Sequence, residues 1–96
     1  MSVQETVPTN ADGALVHTNP ITGKAFTSIE GLTSTQPLDD AMTAQNYQYP
    51  EWATFKQWKS GGRTVSKYQK GTRLVGSNGF FWYVFNVAQT EPRKDR

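Results

Sequence analysis

Between Trp52 and Thr90 the chain carries Lys56, Lys59, Arg63, Lys67, Lys70 and Arg73 and no aspartate or glutamate. The same stretch holds all three tryptophans. Cations interleaved with aromatic rings suit a single-stranded nucleic acid, DNA or RNA. Ammonium and guanidinium groups meet phosphates, and flat rings meet the faces of unpaired bases. Lys67, Lys70 and Arg73 fall on a strand, a turn and a second strand, with Lys56, Lys59 and Arg63 just ahead of them. This set is the candidate groove, and Tyr68, Trp58, Trp82 and Tyr83 are the candidate platforms. The same residues also read as a solvated basic face without a ligand. For most single aromatics burial is the commoner fate, but Tyr68 sits at a turn, where exposure is expected.

Catalysis has little to stand on. His17 is the only imidazole, and there is no cysteine, which removes thiolate nucleophiles and Cys-ligated zinc. Neither HExxH nor GxSxG occurs. Asp39 and Asp40 are neighbours on an expected helix, so their side chains diverge by about 100°. There they suit the positive helix N-terminus better than paired acid–base work. Gly61 and Gly62 lack the lysine and hydroxyl that complete a phosphate-binding loop. The expectation is a non-enzymatic binding module with no catalytic residue, metal or cofactor.

The elements that must position these residues belong to one domain, the size 96 residues allow. Net charge is only +2, but it is polarised. Residues 1–51 set Glu5, Asp12, Glu30, Asp39, Asp40 and Glu51 against Lys24 alone, so the positive field lies in the second half. No apolar run approaches the roughly 20 residues of a membrane span. The first residues, MSVQETVPTNADG, have neither a basic nor an apolar signal region. A cytoplasmic protein without a membrane partner is expected.

Residues 1–13 read as a flexible arm, 14–90 as the folded domain and 91–96 as a polar tail beginning in effect at Gln89. The Thr18–Gly23 run is a turn, followed by a short helix near Ser28–Leu32. A second helix covers Leu38–Asn46, with Pro37 at its start. A third covers Glu51–Lys59 and is stopped by Gly61–Gly62. Strands follow at Arg63–Lys67, Thr72–Val75 and Phe80–Val87. The last two are joined through Gly76–Gly79 with its Asn-Gly signal. Alternation along the last strand puts Phe81, Tyr83 and Phe85 on one face, taken as the core face, and Trp82 on the other. The fold class is α+β: two or three short helices on a small antiparallel sheet.

The order of several short motifs resembles the N-terminal domain of ArdC-type antirestriction proteins. These are Asn19–Pro20–Thr22–Gly23–Phe26, Pro50–Trp52–Thr54–Phe55–Lys56–Gln57, Gly61–Gly62–Val65–Lys67–Lys70–Gly71 and Val84–Phe85–Asn86–Val87–Gln89–Thr90. The resemblance spans about residues 19–90. It implies an α+β domain that binds single-stranded DNA with little sequence preference. In long members this domain precedes a metalloprotease-like domain, and the expectation here is a stand-alone form. It also implies a phage or mobile-element protein acting in a host cell. Two departures stand out. The family turn K-G-E-K-G reads Lys67–Tyr68–Gln69–Lys70–Gly71 here, and the helical segment before Trp52 is less apolar and contains Pro37.

A rival expectation is a protein-binding inhibitor of a host defence enzyme, with exposed aromatics as its anchors. Salt separates the two, because neutralising phosphates makes affinity fall steeply with salt.

Overall fold

A computed structural model describes residues 16–29 and 31–93, so the expected N-terminal arm and residues 94–96 lie outside the described residues. The chain is α+β. Its strands are β1 (Thr18–Asn19), β2 (Lys24–Ala25), β3 (Trp52–Ala53), β4 (Arg63–Val65), β5 (Thr72–Val75), β6 (Phe81–Asn86) and β7 (Thr90–Pro92). The helices are α1 (Gln36–Gln45) and α2 (Phe55–Ser60). All strand pairs are antiparallel: β1 with β2, β4 with β7, and a central sheet in the order β3-β6-β5.

Helix α1 forms where Pro37 and Asp39 favour a first turn, and it ends at Asn46 in the left-handed region (φ 56°). Leu38 and Met42, one turn apart, are its buried residues. They pack with Phe26, Trp52, Leu74 and Val84 into the core, and Ile29, Leu32, Ala41, Tyr47 and Trp82 lie half-buried around them. This core covers one face of the central sheet.

Several expectations are corrected. The short helix at Ser28–Leu32 is a single 3-10 turn at Phe26–Ser28. The third helix does not begin at Glu51. Trp52 and Ala53 are strand residues paired with Asn86 and Phe85, and the helix starts at Phe55. Its boundary is chemical. Thr54 Oγ1 accepts from the Gln57 N–H at 3.2 Å, and Gln57 Oε1 accepts from the Thr54 N–H at 3.0 Å, a reciprocal cap. Thr90–Pro92 are not part of a loose tail: they pair with Arg63–Val65. β4 therefore does not join β5.

The largest correction concerns the last strand. Trp52, Leu74, Val84 and Asn86 are fully or almost fully buried, whereas Phe81 and Tyr83 are about half exposed. The core face carries Trp82, Val84 and Asn86, and Phe81, Tyr83 and Phe85 point outward.

Candidate nucleic-acid interface

The outer face of the central sheet is built by cross-strand register. Arg73 pairs with Tyr83 and Val75 with Phe81, so these four side chains share one face. Residues two apart on a strand repeat at roughly 7 Å, which sets Phe81, Tyr83 and Phe85 in a row. Phe81 and Tyr83 meet edge to face with centroids 6.1 Å apart. The Arg73 guanidinium carbon lies 5.3 Å from the Phe81 centroid, a cation–π contact of about 0.5–1 kcal/mol at an exposed site. A guanidinium over a ring keeps its charge and its N–H donors at the exposed face.

α2 covers the far end of this row. The Trp58 indole N–H donates to the Phe85 carbonyl at 2.8 Å, and Phe55 meets Phe85 edge to face at 6.5 Å. Phe85 is thus half-covered, while Phe55 stays half-exposed at the rim. Gly71 approaches from the opposite side. A methyl group there would stand 3.0 Å from Tyr83 Cβ and 3.2 Å from Phe85 Cζ, so a side chain at this position would push the row back by a few tenths of an ångström.

The turn before β5 carries Lys67, Tyr68, Gln69 and Lys70, all exposed. Tyr68 is the extreme case, with 95% of its surface in solvent and φ of 66°. A left-handed residue with a side chain costs about 1–2 kcal/mol. No burial of the Tyr68 ring offsets that cost. The turn is held from below by Gln89, whose Nε2 donates to the Lys70 carbonyl at 2.9 Å and to Gln69 Oε1 at 3.2 Å. Gln89 is fixed in turn by the Asn86 N–H, which donates to its Oε1 at 2.8 Å.

The structure brings together only part of the expected set. Lys67, Tyr68 and Lys70 share the turn, and Arg73 follows on the sheet face. Lys56 and Lys59 are exposed on α2, where they line a separate cleft with Arg93. Arg63 is half-buried, and its Nε donates to Thr90 Oγ1 at 2.7 Å and its Nη2 to the Thr90 carbonyl at 3.2 Å. It therefore braces β4 against β7. Trp82 is half-buried against the core, on the opposite face of β6 from Arg73. Trp58, the other tryptophan considered as a platform, is buried.

Most recurring motif residues prove to be scaffold. Asn19 Oδ1 accepts from the Ile21 and Thr22 N–H groups, and its Nδ2 donates to Gln57 Oε1 at 2.9 Å. Asn86 Oδ1 accepts from the Ala88 N–H, and its Nδ2 donates to the Tyr49 carbonyl at 2.8 Å. His17 is buried. Its Nδ1 accepts from the Trp52 indole N–H at 3.0 Å, and its Nε2 lies 2.6 Å from Asp39 Oδ1. With the first nitrogen accepting, the proton sits on Nε2 and points at the carboxylate. The sequence reading missed the outward placement of Phe55, Phe81 and Phe85. It also missed Tyr47, which lines a cleft together with the turn, and Tyr49, which lines the adjoining cleft. The Thr54–Gln57 spacing was the available signal for where α2 begins.

Among the described residues no helix is long and apolar enough to cross a membrane. A family model described as the N-terminal domain of anti-restriction factor ArdC matches residues 2–96, and the chain belongs to that family. No curated protein and no solved structure matches it.

Proposed function

We propose that this member of the anti-restriction family is a non-enzymatic module that binds single-stranded DNA across the outer face of its central sheet. The observation that carries the reading is Arg73 lying over Phe81 and paired with Tyr83. There a cation and two half-exposed rings share one face of the sheet, and the turn that carries Lys67 and Lys70 leads into the same strand as Arg73. Bases stack on Phe81 and Tyr83, and phosphates run toward Arg73 and the turn lysines. Each stacked base is worth about 1–3 kcal/mol. The edge of α2 with Lys56 and Lys59 adds long-range attraction for the strand. The sole imidazole is committed to Trp52 and Asp39 inside the structure, which supports binding over chemistry. Holding an incoming single strand in the host cytoplasm is the antirestriction role this activity would serve.

Fluorescence anisotropy with a labelled single-stranded oligonucleotide tests the reading, with a duplex of equal length as competitor at two salt concentrations. Single-strand preference is expected, with log affinity falling against log salt at about −0.7 per phosphate neutralised. Binding that ignores salt, or no binding at low salt, would overturn it and turn attention to a host defence protein as the partner of the aromatic face.

A further inference from the structure

We propose that a tyrosine- and amide-lined groove between the end of α1 and the 66–71 turn is a second nucleotide-binding segment, which takes the strand as it leaves the sheet and selects among its bases. The proposal rests on the single-strand reading above. Two clefts of about 380 and 550 Å³ adjoin at Gln45 and Tyr47, which line both. Tyr68, Gln69 and Lys70 line one end, and Tyr49 and Arg63 line the other. Among the described residues no carboxylate lines either cleft, and a phosphate backbone there meets cations and neutral groups.

The groove is continuous with the aromatic row. Gly71 lines its first cleft and also lies against Tyr83 and Phe85. A strand stacked on Phe81 and Tyr83 therefore crosses Gly71 and arrives between Tyr68 and Tyr47. The chemistry changes on the way. The sheet face offers rings and one guanidinium, whereas the groove adds side-chain amides, which donate and accept as the Watson–Crick edges of bases do. Gln69 is oriented, since its Oε1 already accepts from Gln89. Its amide N–H groups are left to donate to a base edge, and where a base carries its acceptor, a carbonyl in thymine or a ring nitrogen in adenine, sets the preference. Phosphate contacts alone carry no such preference.

The test uses the full chain and four labelled strands: dT and dA, each of about four and about twelve nucleotides, spanning the usual range of site sizes. Three proteins are compared: wild type, the pair Tyr49→Ala with Tyr68→Ala, and Gln69→Leu. Tyr49 and Tyr68 are exposed, so the paired variant retains its fold. The paired variant is expected to bind the long dT strand about tenfold more weakly and the short one unchanged. Gln69→Leu is expected to change the dT-to-dA affinity ratio on long strands only. A 5-iodouracil strand should crosslink to Tyr47, Tyr49 or Tyr68 as well as to the sheet. If wild type binds the long strand and the paired variant binds it equally well, the groove is not a binding segment. An unchanged dT-to-dA ratio in Gln69→Leu overturns base selection. Failure of wild type to bind any strand overturns the single-strand reading itself and this inference with it.

Discussion

The indole N–H of Trp52 donates to Nδ1 of His17 across 3.0 Å in the interior. Trp52 is fully buried, so removing its acceptor leaves a donor without a partner, at a cost of about 1–3 kcal/mol. His17→Ala is expected to lose at least this much in urea unfolding. Asp39→Asn should lose less, because Asp39 is 45% exposed and water can replace it. Equal losses for the two variants would show that the histidine–aspartate contact, not the histidine–tryptophan contact, holds the site.

Tyr68 occupies a left-handed backbone position, which glycine adopts at less cost. Tyr68→Gly removes the conformational cost together with the ring. Thermal unfolding should show a gain of about 1 kcal/mol, while affinity for a long single strand falls. A variant that is more stable and weaker-binding is the signature of strain retained for function. A stability loss would mean that the ring has a structural contact.

Replacing Lys67, Lys70 and Arg73 together with alanine removes three exposed cations and no core contact. Folding should persist, as read by circular dichroism. The log–log salt slope of single-strand binding should become shallower by about 2. An unchanged slope in a folded triple variant would move the phosphate path elsewhere, with Lys56 and Lys59 the next residues to replace.

The two faces of β6 separate binding from stability. Tyr83→Ala, on the outer face, is expected to weaken single-strand binding about five- to a hundredfold, the loss of one stacked base, with little change in melting temperature. Val84→Ala, on the inner face, should do the reverse and destabilise by about 1–3 kcal/mol.

Burial pushes the Tyr47 phenol above its ordinary value of 10.0. The folded state therefore favours the protonated phenol. Its contribution is fully present below pH 10 and is lost as pH rises through the raised value. Tyr47→Phe should flatten the alkaline end of the stability profile relative to wild type. Parallel profiles would mean that the phenol is solvated.

How far the sequence could be read turns on particular residues. The strand Thr72–Val75 lies where β-propensity and flanking turns put it, and α1 begins only two residues early. The faces of the last strand were inverted for a geometrical reason. The expected connection Gly76–Gly79 would pair Val75 with Phe80 and set Leu74 opposite Phe81. The actual connection is longer: Val75 pairs with Phe81 and Leu74 with Trp82. A one-residue change of register moves every side chain to the other face. Composition could not reveal this, because both faces of the strand are aromatic. The pairing of β4 with β7 was hidden for a different reason. Thr90–Pro92 has no apolar alternation, and what fixes it is Arg63 on Thr90 and the Ser66 N–H on the Gln89 carbonyl. The basic stretch was legible in outline, but only the fold separates the brace Arg63 from the cations that face solvent.

An aromatic sheet face open to solvent usually invites self-association, because neighbouring copies can extend the sheet strand against strand. Here both lateral borders of the sheet are partly closed. The Thr33 N–H and hydroxyl donate to the Val75 carbonyl beside β5, and the Ser77 N–H donates to Gly31. On the far side, the Thr18 N–H donates to Pro50 next to β3. These short chain crossings leave the rings accessible from above while narrowing the room for another backbone to dock alongside.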